Sequence, residues 1–329
     1  MRKITIREAL NEAMHEEMAR DPRVIVLGCD VGNRGGPFGI TKGILDRFGP
    51  ERIWDTPISE PAFTGAGIGA AATGLRPIVE ILYSDWITLG MDQIVNMAAK
   101  MRYMFGGKVN MPLVVRAPFG AGNCYAAQHS QSFENWFNHV PGLKVVAPCT
   151  PYDMKGLLKA SIRDDNPVIF FEHKRAYAFK GDVPDAGEDY IVPIGKANVI
   201  KEGKDATVVT YSYITTRVLN AVKQLEQEEN VSIEIIDLRT ILPLDYETVM
   251  ASVAKTGRLV VVHEANVRGG LGGDIVAEVI DKGYDALKAP PLRVGGLNVP
   301  MPYNRGLESL VIPDEKKINE AIKRVLTYR

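Results

Sequence analysis

The sequence predicts an α/β protein of two consecutive domains, each a mainly parallel sheet flanked by helices. Three observations lead there. Short apolar runs recur along the chain, as strands buried on both faces require. Stretches with apolar residues at helical spacing lie between them. One polar, turn-rich run, Gly181-Asp182-Val183-Pro184-Asp185-Ala186-Gly187-Glu188-Asp189, interrupts the alternation, which then restarts. The expected division is 1–180 for the first domain, 181–200 for a link and 201–329 for the second. A length of 329 residues is enough for two full cores.

The elements follow in order. Ile6, Leu10, Met14 and Met18 recur at helical spacing, and Thr5 with Glu8 forms a capping box at the start of that helix. Val24-Ile25-Val26-Leu27 is an apolar run expected to be a buried strand, and further strands are expected at 77–82, 113–116, 144–147 and 168–171. The stretch 91–104 carries apolar residues on one face. Thr150-Pro151 supplies a cap and a first-turn proline for a helix over 152–163. In the second half, strands are expected at 206–211, 231–236, 258–263 and 292–294. Helices are expected there at 215–227, 245–255, 274–287 and 314–326.

Composition narrows the function classes. Hydrophobic residues are 46% and charged residues 24%, an ordinary globular balance. A net charge of -1 leaves no basic excess to neutralise phosphates, so nucleic acid is not an expected partner. No apolar run follows the first charges, and the uncharged stretch 61–75 is too short for a membrane span. Neither a signal peptide nor a membrane association is expected. Cys29, Cys124 and Cys149 are odd in number and widely spaced. They fit reduced thiols in a cytoplasm, with neither a disulfide framework nor a zinc site.

Gly65-Ala66-Gly67-Ile68-Gly69 invites a dinucleotide-binding reading, but that fingerprint needs a strand directly before the glycines. Ser59 and Pro61 look like a helix start, so the glycines are expected inside a helix, allowing close packing. Gly269-Gly270-Leu271-Gly272-Gly273 reads as a helix-entry loop. No Gly-x-Ser-x-Gly elbow supports a serine hydrolase, and no histidine pair has metal-ligand spacing. Glu60 admits two readings. It is a first-turn carboxylate favoured by the helix dipole, or an acid on an apolar, glycine-rich surface that meets a cofactor nitrogen. His129, between a glycine-containing loop and the segment with Trp136 and Phe137, is either a capping or surface histidine or a proton donor.

Several strings then occur together. They are Asp55-Thr56-Pro57-Ile58-Ser59-Glu60, Gly74-Leu75-Arg76-Pro77, Met91-Asp92-Gln93-Ile94, Ala127-Gln128-His129-Ser130-Gln131-Ser132, Pro141-Gly142-Leu143-Lys144-Val145-Val146 and Ile162-Arg163-Asp164-Asp165-Asn166-Pro167-Val168. With Asp237-Leu238-Arg239-Thr240 and Arg293-Val294-Gly295-Gly296, this set resembles the β subunits of pyruvate, branched-chain 2-oxo-acid and acetoin dehydrogenases across nearly the whole chain. Tyr83-Ser84-Asp85-Trp86 and 102–108 lean toward the acetoin type.

The resemblance implies a transketolase-like pair of domains, the first binding the aminopyrimidine half of thiamine diphosphate and the second supporting dimerisation. It implies that Glu60 contacts the pyrimidine nitrogen, that Leu82, Trp86 and Leu89 surround the ring, and that His129 faces the thiazolium. It also implies a structural potassium site at Leu113, Ser161, Ile162, Asp164 and Asn166, made largely of carbonyl oxygens. An α subunit would hold the diphosphate and its magnesium. No Gly-Asp-Gly motif with paired asparagines occurs in this chain, consistent with that division. The implied assembly is two α and two β chains with a dihydrolipoyl acyltransferase core. The implied reaction cleaves acetoin or a 2-oxo acid such as pyruvate and passes an acyl-level fragment to a lipoyl group. Two alternatives stand beside it: a non-catalytic subunit tethering an α partner to the core, and one half of a split transketolase. The string Gln128-His129-Ser130-Gln131 disfavours the second.

Overall fold

A computed structural model describes residues 1–328. Contacts divide the chain into two compact units, Met1–Phe119 with Trp136–Ile194, and Gly120–Asn135 with Gly195–Arg329. The strands are β1 (Arg2–Thr5), β2 (Val24–Gly28), β3 (Ile53–Asp55), β4 (Arg76–Glu80), β5 (Val114–Phe119), β6 (Lys144–Val146), β7 (Val168–His173), β8 (Lys180–Val183), β9 (Asn198–Lys201), β10 (Ala206–Thr210), β11 (Ile233–Asp237), β12 (Thr240–Leu242), β13 (Leu259–Asn266) and β14 (Leu292–Gly296). The α-helices are α1 (Ile6–Arg20), α2 (Ile44–Phe48), α3 (Glu60–Ala72), α4 (Ala99–Met104), α5 (Glu134–Asn138), α6 (Pro151–Arg163), α7 (Ile214–Glu228), α8 (Tyr246–Thr256), α9 (Leu271–Gly283), α10 (Arg305–Val311) and α11 (Glu315–Leu326).

In the first unit six strands run in the order β3-β2-β4-β5-β7-β6, every neighbouring pair parallel. The four central strands are buried throughout, which is why they read as apolar runs in the sequence. Helix α1 opens with the expected capping box: Thr5 Oγ1 accepts from the Glu8 amide at 3.2 Å, and the Glu8 carboxylate accepts from the Thr5 amide at 2.7 Å. The glycines of 65–69 lie inside α3. A Cβ on Gly67 would sit 2.6 Å from Val79 Cγ2, so the glycine lets α3 rest directly on β4. The stretch 91–104 is less regular than its apolar face suggested. A 3₁₀ turn over Ser84–Gly90 leads into a π-helical segment, Gln93–Ala98, before α4.

Two features depart from the expected division at 181–200. Strand β8 pairs antiparallel with β1. Beyond it, Asp189 takes hydrogen bonds from Arg163 Nη2 at 2.7 Å and Nη1 at 3.1 Å and an ion pair from Lys159 at 2.6 Å, while Tyr190 stacks on Tyr152 at 4.7 Å. The polar run therefore packs on α6, and the first unit extends to Ile194. Conversely, residues 120–135 belong with the second unit. Their anchors are acids from that unit, described below.

A charged cluster lies at the heart of the first unit. Arg116 on β5 is fully buried. Its Nε and Nη2 donate to Glu172 on β7 at 2.6 and 2.8 Å, its Nη1 donates to Glu80 on β4, and the Tyr177 hydroxyl donates to Glu172 at 2.8 Å. Burial pushes the Glu80 carboxyl up from its ordinary value, Arg116 opposing and Glu172 adding. Breaking a buried ion pair from one side leaves the other charge without compensation. Arg116→Met is therefore expected to cost about 3–5 kcal/mol of stability. Chemical denaturation of the purified chain measures it, and a loss below about 1 kcal/mol would show the carboxylates can rearrange.

The second unit has the strand order β14-β13-β10-β11-β9, parallel except for β9, which runs antiparallel to β11. Helix α7 presents Val218, Val222 and Leu225, and α11 presents Ile318, Ile322 and Val325. Both sets join Val208, Ile235, Val260 and Val262 of the sheet in one apolar core. Each such side chain contributes about 1.5–3 kcal/mol through burial. Gly270 is the N-cap of α9, so the second glycine cluster is a helix entry, as its sequence suggested.

Candidate active site

The order of strands locates the site. Strands β2 and β4 are neighbours, yet the chain visits β3, on the far side of β2, between them. In open α/β sheets ligands bind outside the carboxyl ends of the strands at such a reversal. Glu60 arrives there by connectivity, because it is the first residue of α3, the helix leading from β3 to β4. Its side chain is buried, with 7% of the residue exposed, and no hydrogen bond to its carboxylate forms among the described residues.

The segment after β4 supplies apolar company. Leu82 and Trp86 are half-buried and Leu89 is 50% exposed. Trp86 and Leu89 ride on the 3₁₀ turn Ser84–Gly90, whose first turn is fixed by the Trp86 amide donating to the Tyr83 carbonyl at 2.9 Å. This turn packs against α3. A Cβ on Gly90 would lie 3.2 Å from Thr64 Oγ1, so glycine there permits the approach. Cys29, just past β2, contacts Thr56 Oγ1 at 3.8 Å and the Pro57 carbonyl at 3.6 Å. Burial pushes its thiol up, Thr56 opposing and the Glu60 charge adding. The resemblance named Glu60, Leu82, Trp86 and Leu89 as one set; Glu60 heads α3, Trp86 and Leu89 lie on the turn that packs against this helix, and Leu82 precedes that turn. Cys29 was missed, and nothing in its local sequence marks it.

His129 belongs to the second unit and is half-buried on the loop 120–135. The loop's backbone is tied to acids. The Ala121 amide donates to Glu264 Oε1 at 2.6 Å, the Gly122 amide to Glu308 Oε1 at 2.8 Å and the Cys124 amide to Glu308 Oε2 at 3.1 Å. Cys124 and Ala126 hold positive φ, so the loop takes a conformation that needs such anchoring. Tyr211 donates to Glu134 at 2.8 Å, and Asn135 donates to the Gly269 carbonyl at 2.6 Å. His263 is fully buried with Nδ1 bonded to the Ala265 carbonyl at 2.9 Å. Burial holds its imidazole down to about 4.

The implied potassium ligands lie near Arg76. Its Nε donates to the Ile162 carbonyl and its Nη2 to the Asp164 carbonyl, each at 2.7 Å. The Leu113 carbonyl accepts from the Val168 amide at 2.8 Å and the Ser161 carbonyl from the Asp164 amide at 3.3 Å. Burial opposes ionisation of Asp164, but Lys144 and Asn166 outweigh it and lower its carboxyl below its ordinary value. One guanidinium spans two of the carbonyls, so those two converge, and each carbonyl oxygen keeps a second lone pair. The Arg76 guanidinium thus already places a positive charge against two of the oxygens that the implied cation would use.

Comparison with known proteins identifies the two domains. A family profile described as the transketolase pyrimidine-binding domain matches residues 2–180, and one described as the transketolase C-terminal domain matches 195–318. The chain belongs to this transketolase-like family. Among its relatives, the acetoin:2,6-dichlorophenolindophenol oxidoreductase subunit beta of Cupriavidus necator is 48% identical over 99% of this chain and 98% of its own length. The pyruvate dehydrogenase E1 component subunit beta of Rickettsia bellii is 48% identical over 98% of both. A solved split-gene transketolase, an inactive β4 tetramer, superposes with a TM-score of 0.78 over 98% of both chains at 23% identity, a likeness of fold. Transketolase-like membership accounts for the two parallel sheets and for their order along the chain.

Proposed function

We propose that this chain is the β subunit of a thiamine-diphosphate-dependent dehydrogenase, active only with an α subunit. It cleaves acetoin or a 2-oxo acid such as pyruvate and passes the acyl-level fragment to a lipoyl group. The observation that supports this reading is Glu60, 7% exposed at the switch point of the sheet, whose carboxylate takes no hydrogen bond among the described residues. A largely buried carboxyl in that position is available to a hydrogen-bonding group of a ligand. The neighbouring Leu82, Trp86 and Leu89 suit a flat ring, and an aminopyrimidine offers both the ring and the nitrogen.

Thiamine diphosphate, when bound, supplies a nucleophilic carbon for breaking the bond beside a substrate carbonyl. Glu60 would hold or release a proton at the pyrimidine nitrogen. Leu82, Trp86 and Leu89 would orient the ring and exclude water, and His129 would give or take a proton at the substrate oxygen. Leu113, Ser161, Ile162, Asp164 and Asn166 would hold potassium and stiffen the end of α6. The diphosphate and magnesium would be held by the α chain, in an assembly of two α and two β chains docked on an acyltransferase core in the cytoplasm. The names of both relatives support a place in such a dehydrogenase. No described helix is long and apolar enough to cross a membrane.

The isolated chain is expected to bind thiamine diphosphate poorly, and co-expression with its α partner to restore binding. Calorimetry with and without the partner tests this, and tight magnesium-dependent binding by the chain alone would contradict it. Dye reduction by the same assembly is expected to run faster with acetoin than with pyruvate. An assembly that binds the cofactor but turns over neither substrate would favour a tethering role.

A further inference from the structure

Among the anchors of the His129 loop, Glu134 stands apart because it is part of the loop itself. It is fully buried, and its Oε1 accepts a hydrogen bond of 2.8 Å from Tyr211, which is 1% exposed and stacks on His263 at 6.4 Å. Its Oε2 is buried with no partner among the described residues, and the same holds for Oγ of Ser130, next to His129. Tyr211 and the residue's own amide are neutral donors, and they do not fully compensate a buried carboxylate. A neutral carboxyl suits the place better, since it accepts from Tyr211 through one oxygen and offers a donor from the other.

We propose that the Glu134–Tyr211 pair positions the His129 loop for proton transfer. The proposal rests on the reading of His129 given above and adds a residue to it. Glu134 is a positioning residue, since nothing places it against the substrate. Burial pushes its carboxyl up to about 7, its own amide and Tyr211 opposing and the Glu264 charge adding. The groups that face it are therefore Tyr211, Glu264 and, behind the Tyr211 ring, His263, which burial keeps neutral near pH 7. Loss of the proton would leave Glu134 negative beside Glu264, and the two charges would repel. The loop should then loosen. The folded chain holds a proton that the unfolded chain has released above 4.5, so this contribution to stability falls as pH rises and is gone above about 7.

The test uses the α–β assembly. Infrared spectra of the wild type should show a protonated-carboxyl band that fades as pH rises through the Glu134 midpoint and is missing in Glu134→Gln. Glutamine keeps the acceptor for Tyr211, so turnover below that midpoint should stay within about threefold of wild type. The decline of kcat above the midpoint should be absent in this variant. Tyr211→Phe should lower kcat about tenfold with KM little changed, as misplacement of a catalytic group does. A Glu134→Gln assembly that keeps the wild-type pH profile, or a Tyr211→Phe assembly with wild-type kcat, would overturn the proposal. Normal turnover in His129→Ala would instead sink the functional reading, so the two failures are separable.

Discussion

Replacing Glu60 by glutamine is expected to slow turnover by about two to four orders of magnitude while the α–β assembly still forms. The size of the effect follows from what the carboxyl has to do. It lies at the head of α3, 7% exposed, with no hydrogen bond to the rest of the described chain. A glutamine of the same shape fills the same space and still offers a hydrogen bond at the ring nitrogen. It cannot release or take up a proton there, so only the exchange step is removed. Assembly should be unaffected, since no interaction that holds the fold passes through the Glu60 carboxyl. Deuterium exchange at the thiazolium carbon of the reconstituted assembly is the direct measurement. Wild-type exchange in the glutamine variant would mean that Glu60 is only a helix-start carboxylate.

The strength of that expectation depends on how the site could be found at all. The buried parallel strands were legible because both faces of β2, β4, β5 and β7 are covered, and double burial leaves an uninterrupted apolar run. The glycines of α3 were legible because no strand precedes them. Strands β1, β3, β8 and β9 were not, being three or four residues long and partly exposed. For β8 the composition pointed the wrong way. Lys180–Val183 is polar, and what makes it a strand is backbone pairing with β1 at the start of the chain, which no local pattern records. The allegiance of residues 120–135 was hidden for the same reason. Their anchors are Tyr211, just past β10, Glu264 on β13 and Glu308 on α10, far away in sequence. Glu60 and His129 could be named from a family resemblance. Glu134 could not, because its meaning comes from a phenol that only folding brings to it.

His129→Ala is expected to lose about a hundredfold or more in turnover, with thiamine diphosphate affinity little changed. The backbone of its loop is anchored at several points. It is fixed by amide bonds to Glu264 and Glu308, by the Tyr211 bond to Glu134 and by the Asn135 bond to Gly269. None of these uses the imidazole, so they should survive its removal. The alanine variant should therefore fold, assemble with its α partner and bind the cofactor, and fail in proton transfer. Cofactor affinity by calorimetry and kcat from dye reduction separate the outcomes. Loss of soluble protein with normal activity per active assembly would make His129 a structural residue. Normal binding with a collapsed kcat in a folded, assembled variant would favour a role for the imidazole at the reacting atoms.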